Sequence, residues 1–367
     1  MEILITGANG FLGSAIVNEL TSDHTISSLS RSSGDYKISL ENEIPNFNKK
    51  FDLVIHAAGK AHSVPKTAFE KKQFYDINVL GTQNLLKGLE KIGAPKQFVF
   101  ISSVAVYGKE SGNNINEDFP LLAKDAYGLS KIEAEKIVIE WCTRHQVICT
   151  ILRLPLLVGK NPPGNLGAML KAINKGYYFN IAGGKARKSM VLAQDVAVFI
   201  PIVALVGGVY NLTDGFHPSF KELSAVLLKN KNKSKSLNIP LIIAKIFGYL
   251  GDVLGEKAPV NTLKIKKIAS DLVFDDAKAR TNFGWKPQGV LEYLENNTNP
   301  LGVIILSKIN WLDIIQDTEI QYLEVAKQPI SMSNIVKNYF RVLEVISSLN
   351  CELEYKSDVG RKQKCLI

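Results

Sequence analysis

The sequence predicts an α/β fold, and three observations predict it. Short apolar, β-branched runs recur along the first half: Glu2 to Thr6, Thr25 to Ser30, Phe51 to His56 and Phe98 to Ser102. Runs of this length and composition read as strands. Between them apolar positions fall at helical spacing, as in Phe11, Leu12, Ala15, Ile16 and Leu20, and again from Phe74 to Lys91. Gly7, Gly10 and Gly13, spaced G-x-x-G-x-x-G, join the first strand to the first helix.

That turn lets backbone N–H groups and a helix N-terminus approach a pyrophosphate, and the helix dipole favours the anion. It predicts dinucleotide binding by Gly7, Gly10, Phe11 and Gly13. The second strand ends in Ser30-Arg31-Ser32. At this place an acid binds the ribose 2′-hydroxyl of NAD, whereas an arginine accommodates the 2′-phosphate of NADP. Arg31 without an acid favours NADP(H), with NAD(H) as the alternative, and Asp35 is placed toward the adenine edge. The next strand, FDLVIH, runs into Ala57-Ala58-Gly59-Lys60, small residues that let a cofactor lie against the backbone. Asn78, inside the following helical run, reads as a helix-to-loop hydrogen bond. FVFIS then ends in Ser102-Ser103, followed by VAVYG, a polar loop and a helix from about Ala126 to His145.

This helix carries the chemistry. Tyr127 and Lys131 are four apart and share one face. A tyrosine titrates near 10. A neighbouring ammonium and a positive nicotinamide ring are expected to lower it into a usable range. Ser103, at a strand end, can hydrogen-bond the same substrate oxygen. The set predicts hydride exchange between a carbinol or ketone carbon and a nicotinamide, with Tyr127 moving the proton.

Composition excludes other classes. The chain has 367 residues, 46% hydrophobic and 22% charged, which is globular and long enough for about two domains. Its formal charge of +9 is scattered, so it favours anionic ligands without forming a nucleic-acid stripe. Cys142, Cys149, Cys351 and Cys365 form no C-x-x-C pair, which supports neither a zinc site nor a disulfide framework. No basic region precedes the first apolar run, which reads as a strand and not a signal peptide. Ile239 to Leu254 is apolar but is broken by Pro240, Lys245, Gly248, Gly251 and Asp252. It reads first as a buried or lid helix, secondly as a membrane-surface helix, and not as a firm anchor.

GANGFLG, IHAAG, ISSVAVYG and YGLSK together resemble the extended short-chain dehydrogenase/reductase family, in its nucleotide-sugar epimerase/dehydratase branch. The likeness runs to about Pro287, where NFGWKP is similar to a late motif of the family. It implies a Rossmann doubly wound parallel sheet with a smaller C-terminal substrate domain. The domains would then be residues 1–158, with later segments free to return to the sheet, 159–299 for the nucleotide sugar, and a helical extension at 300–367 of unassigned role. The resemblance assigns the pyrophosphate to Gly7, Gly10 and Gly13, and catalysis to Ser103, Tyr127 and Lys131. The last two also touch the cofactor, beside Ala57, Ala58 and Gly59. The UDP-linked sugar is assigned to Lys60, Asn165, Arg187 and Lys188, with the two basic residues clamping the diphosphate. It also implies a cytoplasmic homodimer that pairs through the helices including that of Tyr127.

Departures from the pattern narrow the reaction. Val104 and Ala105 stand where dehydratases carry acids, so they cannot move protons for an elimination. Leu156 stands where 4-epimerases of UDP-galactose carry an Asn. GNLGAML and GGKARKSMVLAQDV are similar to enzymes that reduce UDP-4-keto-6-deoxy-N-acetylhexosamines for surface polysaccharides. Reduction at sugar C4 is therefore the first reading. NAD-dependent 4-epimerisation is the second, and a non-catalytic dinucleotide-binding scaffold the third.

Overall fold

The computed structural model describes residues 1–61, 65, 67–176, 178–229, 236–254 and 261–297. The extension at 301–367 and most of the KNKNKSKS run, read from the sequence as a solvated basic loop, lie outside them. β1 (Glu2–Thr6), α1 (Phe11–Leu20), β2 (Thr25–Ser30) and a short β3 (Tyr36–Lys37) open the chain. β4 (Leu53–His56) leads to a helical rod made of α2 (Ala68–Tyr75), a π-helical turn (Asp76–Leu80) and α3 (Gly81–Ile92). The rod starts earlier than its apolar periodicity indicates because a capping box fixes its end. The Thr67 hydroxyl accepts from the Glu70 N–H, and the Glu70 carboxylate accepts from the Thr67 N–H.

β5 (Gln97–Ser103), a 3₁₀ turn (Val104–Tyr107) and β6 (Gly112–Ile115) precede the long α4 (Ala126–His145), which has the bounds read from the sequence. Then come β7 (Ile148–Leu154), β8 (Leu156–Val158), α5 (Gly164–Lys175), β9 (Phe179–Ile181), β10 (Met190–Leu192) and α6 (Ala193–Ala204). Val191 lies in β10, which pairs with β8, and the apolar helical spacing that follows begins at Ala193. β11 (Gly208–Asn211), α7 (Phe220–Lys229), β12 (Leu237–Ile239), α8 (Leu241–Leu254), α9 (Thr262–Ala269), β13 (Leu272–Phe274), α10 (Ala277–Phe283) and α11 (Val290–Asn297) complete the order.

Seven strands form the central sheet in the order β11-β7-β5-β4-β1-β2-β3. Every pairing in it is parallel. Helices cover both faces, so the strands are buried twice over and read as continuous apolar runs. Alternation sorts their side chains. Ile3, Ile5, Val99 and Ile101 join the core under α1 and α6, whereas Leu4, Phe98 and Phe100 join the core under α3 and α4. The order grows outward from β1 in two directions, so a crevice opens where β1 and β4 end. The polypeptide returns to this layer late, since α6 leans on α1 and β11 closes the sheet edge.

One element departs from expectation. Leu241–Leu254 is helical, yet Ile242, Ile246, Phe247 and Tyr249 are exposed. Among its described side chains, those facing inward are Ala244 and Gly248. A Cβ on Gly248 would meet Ile265 at 2.8 Å and the Thr262 backbone at 3.1 Å. Small residues bring α8 close to α9 and leave the large residues between Leu241 and Tyr249 exposed, so this stretch is not buried. Among the described residues no helix is long and apolar enough to cross a membrane.

Candidate active site

The crevice begins at the glycine turn. Gly7 has φ +71°, and a Cβ on it would stand 2.7 Å from the Ala58 nitrogen. A Cβ on Gly13 would stand 2.0 Å from the Gly7 carbonyl oxygen. Both positions therefore require glycine to pack the turn on itself and on Ala57-Ala58. Gly10, Phe11 and Gly13 line the cleft beyond; Gly7 and Ala58 stand behind them. Gly10 precedes α1 with no side-chain cap, and the first turn holds no acid. Its N–H groups thus suit a diphosphate.

The Asn9 amide donates to Ser30 Oγ (2.7 Å) and Ser33 Oγ (2.8 Å), tying this turn to the loop that carries Arg31. Arg31 itself is exposed. Asp35 has a partner within its own loop and strand. It accepts from the N–H and hydroxyl of Ser28 at 2.8 Å each, and these bonds hold its carboxyl below the usual range.

The catalytic candidates meet at the end of β5. Asp125 caps α4 by accepting from the Tyr127 and Gly128 N–H groups (3.1 and 3.0 Å), which fixes the turn bearing Tyr127. The Tyr127 phenol hydrogen-bonds Ser103, whose Oγ also accepts from the Ala105 N–H at 3.2 Å. Lys131 Nζ donates to the Ile101 carbonyl at 2.8 Å and lies 4.6 Å from the centre of the Phe100 ring. Gly59 leaves room for it, because a Cβ there would be 3.3 Å from Nζ. Asn78 makes the helix-to-loop bonds read from the sequence. Its Oδ1 accepts from Lys60 N (2.6 Å), and its Nδ2 donates to Lys60 O (3.1 Å) and Ser130 Oγ (2.9 Å).

The charge states correct one expectation. Burial pushes the Tyr127 phenol up, against the pull of the Ser103 bond. The Lys131 ammonium, held by a backbone carbonyl, does not offset that burial. Burial pushes Lys131 down to about 8, opposed by Glu135. Lowering of the phenol therefore has to come from a cationic ring placed beside it.

His56, at the end of β4, bridges Thr6 Oγ1 (2.6 Å) and Thr82 Oγ1 (2.9 Å) and is buried. Burial, and secondarily the Lys131 charge, bring it down to about 3. The folded imidazole stays neutral while the unfolded one takes a proton below its ordinary value of 6.5. Its contribution to stability is thus full above 6.5 and is lost as pH falls from there toward 3, by about 1.4 kcal/mol per unit. His56→Gln is expected to flatten the acid limb of a denaturation series between pH 6.5 and 4.

A buried network behind these residues escaped the sequence reading. Arg153 on β7 donates to both Glu135 oxygens (Nη2 to Oε2, 2.8 Å; Nε to Oε1, 3.1 Å). It also donates to Tyr107 Oη (3.1 Å) and the Glu117 carbonyl (3.1 Å). The Ser102 hydroxyl donates to Glu135, and the Tyr107 hydroxyl donates to Asn211 Oδ1 at 2.8 Å. The signal lay in spacing. Tyr127, Lys131 and Glu135 stand four apart on one helical face, so a carboxylate follows the lysine into the interior.

The cleft has a volume of ≈ 1160 Å³ and joins the α1 end to the later half of the chain. Ala57, Gly59, Lys60, Ser103, Tyr127, Lys131, Asn165 and Lys188 all line it. Lys60 Nζ donates to Gln73 Oε1 at 3.1 Å. Asn165 sits exposed in the first turn of α5. Lys188 Nζ donates to the Lys267 and Ser270 carbonyls (2.9 Å each), closing the end of α9. Arg187 does not line the cleft, and its Nε pairs with Asp271 at 3.6 Å. Val104, Ala105 and Leu156 form apolar wall. Among the described residues the carboxylates on that wall are Glu110, paired with Lys267 at 3.1 Å, and the capping Asp125.

Comparison with known proteins agrees with this geometry. Residues 3–212 match the model of the NAD dependent epimerase/dehydratase family. The chain is 29% identical over 304 residues to the N-acetyl-α-D-glucosaminyl-diphospho-ditrans,octacis-undecaprenol 4-epimerase of Escherichia coli O157:H7, covering 77% of this chain and 89% of that protein. A UDP-glucuronic acid 4-epimerase from Bacillus cereus, in complex with NAD, superposes with a TM-score of 0.64 at 17% identity, covering 82% of this chain and 96% of the other. RMD from Pseudomonas aeruginosa, complexed with NADPH, gives 0.62 at 21%, with coverage of 80% and 96%. A strand–glycine turn–helix opening, a parallel sheet with its crevice beside β1, and this family match together identify the chain as an enzyme of the NAD dependent epimerase/dehydratase family, built on the extended short-chain dehydrogenase/reductase plan.

Proposed function

We propose that the protein reduces a 4-keto sugar carried on a diphosphate, drawing on NADPH. One observation carries the reading: Ser103, Tyr127 and Lys131 share a cleft with the uncapped start of α1 while the wall beside them is apolar. The first turn of α1 would hold the cofactor diphosphate, and Arg31 its 2′-phosphate. The nicotinamide, when bound, supplies the hydride. Ser103 orients the sugar oxygen, and Tyr127 gives it the proton. Lys131, anchored on Ile101, holds positive charge below that phenol. Asn165 and the first turn of α5, which has no side-chain cap, suit the substrate diphosphate. So does the donor capacity left on Lys188, since an ammonium has three N–H groups and two are used. Arg187, outside the cleft, would act only through the loop it shares with Lys188. Val104 and Ala105 offer no proton carrier for elimination.

The second reading, C4 epimerisation with retained NAD, is favoured by the names of the Escherichia coli and Bacillus cereus proteins. One experiment separates the two. The protein is given a UDP-4-keto-6-deoxy-N-acetylhexosamine with NADPH, and separately a UDP-hexose or a polyprenyl-diphosphate N-acetylhexosamine without added cofactor. Oxidation of NADPH matched to sugar reduced supports the reductase. Interconversion of two sugars with no net cofactor change replaces it with the epimerase. Arg31→Ala is expected to raise the KM for NADPH by about tenfold or more and leave that for NADH nearly unchanged. Equal effects on both would remove the argument for NADP(H).

A further inference from the structure

α8 displays an apolar surface that the reaction does not use. Ile242 is 74% exposed, Tyr249 65% and Phe247 58%, with Ile243 and Ile246 near half. At about 100° per residue these five cover an arc of about 160° on one side of the helix. Ala244 and Gly248 occupy the opposite side, where α9 packs. Single exposed apolar residues are ordinary, but a contiguous stripe of this width marks an interaction face.

Charge selects the occupant. Within Leu241–Leu254 and Thr262–Ala269 stand Lys245, Lys264, Lys266 and Lys267, the last paired with Glu110 at 3.1 Å, and one acid, Asp252. That acid accepts from the Thr262 hydroxyl at 2.6 Å. A wide apolar arc flanked by lysines is the composition of a helix lying in the headgroup region of an anionic bilayer. α9 lies between this face and the cleft: Thr262 and Ile265 meet α8, whereas Leu263, Lys267 and Ile268 line the cleft mouth. Leu263 and Ile268 are themselves exposed there.

We propose that α8 and the adjoining edge of α9 form a docking surface for an anionic lipid bilayer, holding the protein peripherally. The surface requires neither C4 reaction in particular.

The test is flotation of the full-length protein with vesicles of phosphatidylethanolamine and phosphatidylglycerol, and with vesicles of phosphatidylcholine alone. Wild type is expected to float with the anionic vesicles, less so in high salt, because the lysine attraction is screened. Phe247→Glu and Ile246→Glu are each expected to cut the bound fraction by about tenfold while thermal melting stays unchanged. Lys264→Glu combined with Lys266→Glu is expected to abolish the preference for anionic vesicles. Failure of wild type to float overturns the proposal, as does flotation undiminished in both apolar variants. If Phe247→Glu instead halves the mass in lipid-free solution and wild type ignores vesicles, the face belongs to a second copy of the chain.

Discussion

Tyr127→Phe is expected to lower kcat by roughly 10²–10⁴-fold with NADPH binding retained, measured by turnover and by cofactor fluorescence titration. The phenol hydroxyl lines the cleft beside Ser103, where both reach one substrate oxygen in the proposed reaction. Phenylalanine keeps the ring, which packs 6.0 Å from that of Phe74, so the start of α4 and its Asp125 cap remain. Because burial pushes the phenol up, the ligand-free protein holds it neutral, ready to donate in the reductive direction. A variant retaining most of its activity would show that another acid serves the reaction.

Arg153→Met is expected to destabilise the protein by about 3–5 kcal/mol, seen as a melting temperature lower by roughly 10 °C. The pair is interior, with Arg153 at 7% and Glu135 at 2% side-chain exposure. Removing the guanidinium leaves the Glu135 carboxylate with the Ser102 hydroxyl alone and strips Tyr107 Oη of a donor. Replacing both charged residues, as Glu135→Leu with Arg153→Met, is expected to recover most of the loss, because no uncompensated charge remains. If the double variant is as unstable as the single, the cost lies in lost packing. The network joins α4 to the ends of β5 and β7, next to Ser103. Arg153→Met is therefore also expected to lower kcat in the fraction that stays folded.

What the sequence revealed and what it hid divide along physical lines. The strands, the glycine turn and α4 were legible because each is set by local pattern: burial on both sheet faces, a forbidden Cβ, a capping aspartate. Ser103, Tyr127 and Lys131 could be put forward because chemistry restricts which residue types serve and spacing puts two of them on one face, and all three line one cleft. The Arg153–Glu135 pairing was hidden because it joins a strand to a helix eighteen positions away. The partners of Asp35 and Arg187, Ser28 and Asp271, were hidden for a related reason: they are fixed by folding and not by motif. The outward face of α8 came second to a buried or lid helix, because apolar residues are more often buried. Ala244 and Gly248 were the contrary signal, a small-residue seam that turns the large side chains away from the protein.

The π-helical turn between α2 and α3 has a consequence for how this segment tolerates change. Each helical residue advances the face by about 100°, and a π turn puts one residue out of step. Before and within it, Phe74 faces Tyr127 and Asn78 grips the backbone of Lys60. After it, Leu85, Leu86 and Leu89 face Phe47, Phe51 and Phe98 in the core. The turn works as a phase adjuster, letting one rod serve two surfaces that an unbroken α-helix could not address together. Deleting any single residue in Asp76–Leu80 would restore the regular pitch and rotate one half against the other, so length in these five positions is as constrained as residue identity is in the cleft.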